Sequence, residues 1–224
     1  MEQRYIRSVG AITEAECALL KRKRIFVAGC GGLGGHIIDM LLRIGVGEIC
    51  CADGDVFESS NLNRQLLSTE DNLGLSKAAA AEIHAGCVNS SVVFHAYSGF
   101  ITEENAGELI KGCDAVMDAL DTVSSRRILK NACDRLQIPY IYGAVQGWTA
   151  QAAVFLPGDG LFNILYPRED ISVTDKSILS FTPALCASLQ TALCVKLLCG
   201  REVFPGRIYY FDLEEPDYEV LNLL

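Results

Sequence analysis

Eight side chains of this 224-residue chain fall where a phosphate ester would be handled. Asp53, Asp55, Asn61, Arg64, Gln65, Lys77, Asp118 and Asp121 all lie in predicted loops or at predicted strand ends. Together they offer an acceptor for ribose hydroxyls, two cations for phosphate oxygens and carboxylates for a divalent metal. Mg²⁺ is hard and takes oxygen ligands, often one or two carboxylates plus phosphate oxygens, so Asp121 is the expected ligand opposite a triphosphate. Arg64 and Lys77 would neutralise charge on the phosphates and on departing pyrophosphate. An oxidoreductase that merely holds a pyrophosphate has no need of this extra charge, whereas a phosphoryl- or nucleotidyl-transfer enzyme does.

The element that must position these groups is a glycine turn. An apolar run, Ile25 to Ala28, leads into Gly29, Gly31, Gly32 and Gly34 and then into a helical pattern, which reads as strand, tight turn and helix. Gly29, Gly31 and Gly34 fit G-x-G-x-x-G: one for the turn, one for close backbone approach to phosphate, one for helix-on-strand packing. The turn leaves amide N–H groups and the positive end of a helix dipole for an anion. Asp53 follows Gly34 by nineteen positions, at the end of the next apolar run, a spacing that suits a carboxylate on ribose hydroxyls. On the glycine turn and Asp53 alone, a dehydrogenase and an ATP-using enzyme are equally good readings.

The remaining pattern is alternating strand and helix, then a change. Thr13 and Glu16 form a capping box for a helix ahead of the first strand. Leu33, Ile37, Ile38, Leu41 and Leu42 mark a helix closed by Gly45. Ser76 is a candidate N-cap with Lys77 in the first turn, a placement unfavourable to the helix dipole unless an anion sits nearby. Val92–Tyr97 reads as the third strand, Thr102 as the cap of a helix to Lys111, Asp114–Asp121 as the fourth strand, and Thr122–Leu136 as a helix. Ile138–Ala144 is the fifth strand and Thr149–Leu156 another; residues 157–181 form a long polar connection, a length usually functional or mobile. Thr182 and Pro183 start a helix as N-cap and N1, and Ile208–Leu213 and Tyr218–Leu223 are strand-like. The fold class expected is α/β, a Rossmann-like, mostly parallel sheet with helices on both faces, extended by antiparallel C-terminal strands.

Half the residues are hydrophobic, enough for one large α/β core. One domain is expected over 1–224: an N-terminal arm and helix (1–23), a nucleotide-binding half (24–144) and a second half with a crossover loop (145–224). A net charge of −9 repels nucleic-acid phosphates, and no basic run is long enough to override it. The ten cysteines form no C-x-x-C pair and lie mostly in apolar runs, so they read as reduced, buried thiols of a cytoplasmic protein. The N-terminal residues show no apolar signal region. Residues 183–199 read as a buried core helix rather than a membrane span, since Gln190 and Lys196 interrupt them. His36, His84 and His95 have no partner pattern, and Tyr142 and Trp148 read as core or rim aromatics.

Arg4-Tyr5-x-Arg7, Gly29-x-Gly31-Gly32-Leu33-Gly34, Asp53-x-Asp55, Asn61-Leu62-Asn63-Arg64-Gln65, Gly74-x-x-Lys77 and Asp118-x-x-Asp121 stand in an order and spacing that resemble the ThiF/MoeB/HesA family, relatives of ubiquitin-activating enzymes. Gly143-Ala144, Gln151 and Ser188-Leu189-Gln190 extend the likeness over nearly the whole chain. The resemblance implies ATP-dependent adenylation of the C-terminal glycine carboxylate of a ubiquitin-like sulfur carrier, similar to ThiS or MoaD, ending in Gly-Gly. It assigns ribose to Asp53, the phosphates to Asn61, Arg64 and Lys77, and Mg²⁺ to Asp121. Arg7 resembles an arginine that reaches into the neighbouring subunit's site, which implies a two-fold homodimer. The connection 157–181 would cover the carrier's tail.

The chain also departs from that pattern. Longer relatives carry two zinc-binding C-x-x-C pairs; the matching stretch here is Gly160-Leu161-Phe162-Asn163, and zinc is not expected. The crossover-loop cysteine of some relatives falls near Val173, so covalent catalysis is not expected and sulfur would need another donor. The family's Asp-Asn after the fourth strand is Asp121-Thr122 here. An NAD-linked oxidoreductase, a tRNA-modifying cyclase of the same family and a non-catalytic scaffold stand as alternatives. The first leaves Arg64, Lys77 and Asp121 unexplained, the second finds no RNA surface in the acidic balance, and the third would have damaged the phosphate set.

Overall fold

The structure, a computed structural model, describes residues 2–168, 177–215 and 217–223. Its frame is one eight-stranded sheet, ordered β3-β2-β1-β4-β5-β6-β7-β8. The strands are β1 (Arg24–Ala28), β2 (Glu48–Ala52), β3 (Val93–Tyr97), β4 (Ala115–Asp118), β5 (Tyr140–Gln146), β6 (Thr149–Phe155), β7 (Arg207–Asp212) and β8 (Asp217–Asn222). The first five pair in parallel and the last three antiparallel. Central strands read as unbroken apolar runs because both faces are covered: Ile25, Val27, Ile49 and Met117 pack into one core layer, Phe26, Cys50, Val116 and Tyr140 into the other.

The helices are α1 (Glu14–Leu20), α2 (Gly32–Ile44), α3 (Lys77–Val88), α4 (Ala106–Ile110), α5 (Val123–Leu136), α6 (Leu161–Leu165) and α7 (Phe181–Leu198). The capping box of α1 forms on both sides, between Thr13 and Glu16. Gly45 closes α2 in the left-handed region at φ +82, and Thr122 caps α5 through the Ser125 amide. The chain runs β1 to β3 towards one edge and returns to β4 on the other side of β1. That reversal opens a crevice at the carboxyl ends of β1 and β4, the ligand position of doubly wound sheets.

Three boundaries differ from expectation. The helix placed from Thr102 begins at Ala106, because Asn105 ties the preceding turn together: its Oδ1 accepts from Thr102 N at 2.8 Å and its Nδ2 donates to Phe100 O at 2.9 Å. The last helix starts at Phe181 rather than after Thr182, since Thr182 is buried and its hydroxyl donates to Gly147 O at 2.8 Å. The stretch 157–181 is not uniformly irregular. Gly160, at φ +71, introduces α6, which Arg127 clamps by donating to Asn163 Oδ1 and Tyr166 O, both at 2.8 Å. Val173 lies outside the described residues.

Helix α7 is, among the described residues, long and apolar enough to cross a membrane, yet half of that window is buried within the protein. It packs on α2, β5 and β6. Gln190, fully buried, explains the polar interruption: Nε2 donates to Asp118 O at 2.8 Å and to Ile141 O at 3.1 Å. Gly143 is bare because a β-carbon there would sit 2.2 Å from the Gln190 amide carbon. All ten cysteines are free, eight of them buried.

Candidate functional site

The crevice is a cleft of about 1020 Å³, and eleven of the twelve candidate site residues are in or beside its wall. Gly29, Gly31, Gly32, Asp53, Asp55, Asn61, Arg64, Gln65, Lys77 and Asp121 line it. Gly34 stands one helical turn behind, and its role is packing: a β-carbon there would fall 1.8 Å from the Gly29 carbonyl oxygen. Gly29 supplies the turn at φ +95, and its own β-carbon would meet Ala119 O at 2.7 Å. Gly31 differs, since a β-carbon would make only ordinary contact with the Gln65 amide at 3.5 Å. No packing contact among the described residues requires its bareness; it lines the cleft as the N-cap of α2.

Asp53 is tied by backbone before any ligand arrives. Its Oδ2 accepts from Cys30 N at 2.7 Å and its Oδ1 from Asp55 N at 2.9 Å, so one carboxylate joins the glycine turn to the loop after β2. Burial pushes its carboxyl up, with those two amides and Lys77 acting against the rise. Asp55 bonds to Lys77 rather than standing free: Lys77 Nζ lies 3.0 Å from Asp55 Oδ2, and the lysine is buried while the aspartate is exposed. This explains how a lysine tolerates the first turn of α3, where Ser76 caps.

Arg64 is held by neutral groups only. Its Nη1 donates to Ser60 O at 2.8 Å and to Asn63 Oδ1 at 2.9 Å, so its charge has no carboxylate partner among the described residues. Asn61 fixes the same loop, its Oδ1 accepting from Glu58 N at 3.1 Å. Gln65 is 7% exposed and its Oε1 has no hydrogen-bond partner among the described residues, an acceptor held ready in the wall next to Gly31. An unpaired buried amide oxygen costs about 1–3 kcal/mol, and a donor on a ligand would recover it.

The two carboxylates at the end of β4 have different surroundings. Asp118 is fully buried; its Oδ1 accepts from Leu120 N at 3.0 Å and its Oδ2 lies 3.5 Å from Arg126 Nη1. Burial pushes its carboxyl up and Arg126 holds it back. Asp121 is exposed in the cleft wall, with no hydrogen bond or ion pair among the described residues, which fits a magnesium ligand; Asp118, closed in by Arg126, does not.

Arg126 is the residue that sequence reasoning missed. It donates to Leu120 O at 2.6 Å and to Tyr166 Oη at 3.2 Å, and Tyr166 shares a 2.7 Å hydroxyl contact with Tyr142. The strand end carrying Asp118 and Asp121 is thereby joined to the foot of the crossover stretch. The signal was available: Arg126 and Lys130 interrupt the apolar stripe of α5 formed by Val123, Leu129 and Cys133, and charges on a buried face require partners. Phe100, an exposed ring at the cleft mouth, was also passed over.

Arg7 is outside this group. It is exposed, absent from the cleft of its own chain and without a hydrogen-bond or ion-pair partner among the described residues. Its neighbours are docked: Tyr5 is buried and accepts from Asn89 Nδ2 at 2.8 Å, and Arg4 donates to Asn89 Oδ1.

Known proteins are similar to this chain in sequence and in fold. The chain is 31% identical over 208 residues to the SAMP-activating enzyme E1 of Haloferax volcanii, covering 90% of this chain and 77% of that one. It is 31% identical over 216 residues to a sulfur carrier protein adenylyltransferase of Thermus thermophilus, with 91% and 80% covered. In structure it is similar to E. coli MccB at a TM-score of 0.85 and 20% identity, over 99% of this chain and 69% of that one, which bears on the fold alone. The ThiF family pattern matches residues 3–223, and with a glycine turn, a paired Lys77, an uncompensated Arg64 and an open Asp121 around one cleft, the chain belongs to the ThiF family.

Proposed function

We propose that the protein is an adenylyltransferase that uses ATP to activate the C-terminal glycine carboxylate of a ubiquitin-like sulfur carrier of the ThiS or MoaD type. Relatives named as a SAMP-activating enzyme and a sulfur carrier protein adenylyltransferase support the class of reaction. The observation that carries the reading is the sharing of one cleft by the glycine turn, two cations and an unpartnered carboxylate.

The carrier carboxylate is already ionised at neutral pH, so the reaction needs no protein nucleophile and no general base. The task is alignment with the α-phosphate and neutralisation of charge. The carboxylate oxygen forms a bond to phosphorus as the bond to pyrophosphate breaks, giving a carboxyl adenylate. In this scheme the first amides of α2 address phosphate oxygens, Asp53 and the Gly54 loop hold the ribose, and Arg64 and Lys77 take up charge on the leaving group. Asp121 would hold Mg²⁺, which when bound would withdraw negative charge from the phosphates. A second cavity of about 440 Å³, lined by Trp148, Gly147 and Leu179, shares Arg64 and Ile178 with the cleft and offers an extended tail a route to it. The chain is then one adenylating domain, with carrier contacts drawn from residues 145–224.

Arg7, unused by its own cleft, is assigned to the cleft of a second copy in a two-fold dimer. Arg7→Ala should lower exchange while leaving the fold intact. The main test is ATP–pyrophosphate exchange with Mg²⁺ against a panel of carriers ending in Gly-Gly. Arg64→Ala and Asp121→Ala should each reduce exchange by about 100-fold or more. Exchange untouched by both changes contradicts the proposal, and nicotinamide fluorescence rising on titration would move the reading to an oxidoreductase.

A further inference from the structure

One ring in the cleft wall has no part in the scheme above. Phe100, in the loop between β3 and α4, is 66% exposed and lines the cleft. A phenyl ring left in water forgoes the stabilisation that burial would give it. Its place is nonetheless fixed. A β-carbon on Gly54 would meet Phe100 Cγ at 2.6 Å, and the three atoms nearest to that carbon all belong to the ring. Gly54 is not among the glycines with positive φ, so the ring, not the backbone, is what asks for glycine there. The loop that carries the ring is tied on three sides. Asn105 Nδ2 donates to Phe100 O at 2.9 Å, Ser98 and Ser76 share a 2.9 Å hydroxyl contact, and Tyr97 O accepts from Asp53 N at 3.1 Å. The last bond sets this loop beside the carboxylate assigned to ribose.

The two sides of the cleft differ in character. Arg64 and Lys77 belong to the stretch after β2, which packs through Phe57, Leu67 and Ala78 into the core layer of Ile25 and Val27. Ile101 and Leu120 line the cleft from the other side and pack against the layer of Phe26 and Val116. Arg126, which also lines the cleft, is buried against Asp118. A triphosphate is drawn to the side with Arg64 and Lys77, and a nucleobase, planar with apolar faces, is left to the side of Phe100, Ile101 and Leu120. We propose that Phe100 is the platform on which the nucleobase of ATP stacks, a substrate-positioning contact supplied by this chain; the proposal rests on the adenylation reading above. Stacking tolerates any base, because every base has a π-face. Phe100 therefore supplies affinity and orders the nucleotide, and the choice of adenine is made elsewhere. The base is remote from the α-phosphate and makes the same stack in the ground and transition states, so the contact acts on KM for ATP and not on kcat.

Calorimetric titration of the full chain with ATP and Mg²⁺ tests this. Phe100→Ala should weaken ATP by about 5- to 150-fold, the span of stacking on one aromatic side chain. Inorganic tripolyphosphate has no base, and its affinity should differ by less than about twofold between parent and variant. Phe100→Trp should recover most of the loss. The triphosphate of 2-aminopurine riboside, whose emission is quenched by stacking, should be quenched by the parent and by Phe100→Trp and stay bright with Phe100→Ala. Gly54→Ala, whose β-carbon displaces the ring, should weaken ATP in the parent and add little to Phe100→Ala, as two changes acting through one contact do. ATP affinity unmoved by Phe100→Ala, or tripolyphosphate weakened as much as ATP, overturns the proposal and leaves the adenylation reading standing. A parent chain that binds no ATP overturns both.

Discussion

Replacing Arg126 by methionine keeps most of the side chain's volume and removes its charge. Asp118 has no exposed surface and Arg126 is its only ionic partner among the described residues, at 3.5 Å. Removing one member of a buried pair costs about 3–5 kcal/mol, because the other charge is left in a poorly solvating interior. The change also takes donors from the Leu120 carbonyl and the Tyr166 hydroxyl. Against a total stability of about 5–15 kcal/mol for a domain, the loss is about a fifth or more. For a chain of this size it lowers Tm by about 6–20 °C, at about 2–4 °C per kcal/mol. The pH dependence carries the sign. Burial already raises the folded pKa of Asp118, and without Arg126 it rises further, so the folded variant binds a proton that the unfolded chain has released. The stability of Arg126→Met therefore falls as pH rises above the unfolded carboxylate value of about 3.9. Urea melts at about pH 5 and about pH 8 measure this, and adding Asp118→Asn should recover much of the loss by removing the stranded charge. A single variant within about 1 kcal/mol of the parent at both pH values, with no gain from the second change, would refute the reasoning.

Gly34→Ala should abolish the rise in Tm that ATP gives the parent protein, since its β-carbon would lie 1.8 Å from Gly29 O and the start of α2 must move; an unchanged ligand shift contradicts the packing role. Glu16 is held down to about 2, first by its hydrogen bonds from Arg201 and then by the Thr13 amide. Its folded pKa lies below the unfolded value of about 4.3, so its stabilisation is complete above that value and is lost as pH falls towards 2. The Tm difference between the parent and Glu16→Gln should shrink over that window; a difference independent of pH would remove the ion pair from the account.

Much of this was legible because it is local. A glycine forced to φ +95, a capping Thr13 and a Gly45 terminator leave marks within four residues of where they act. Buried parallel strands likewise read as apolar runs whatever their neighbours. What escaped depended on contacts distant in sequence. Gln190 looks like a break in an apolar helix until Asp118 and Ile141, 72 and 49 positions away, are placed above it. Helix α6 has no periodicity of its own and is held by Arg127 from α5. Asp55 stands as a ligand candidate in the sequence, and only the fold turns it towards Lys77.

The two amides already bound to Asp53 bear on how it should be studied. Because Cys30 N and Asp55 N both end on that carboxylate, the acid works as a rivet through two loops, and a sugar hydroxyl would have to share oxygens that are in use. Substituting it would loosen the frame and remove a contact together, so a weakened affinity in such a variant reports disorder and lost recognition as one quantity. Asparagine, whose oxygen can still accept one of the two amides, separates them better than alanine does.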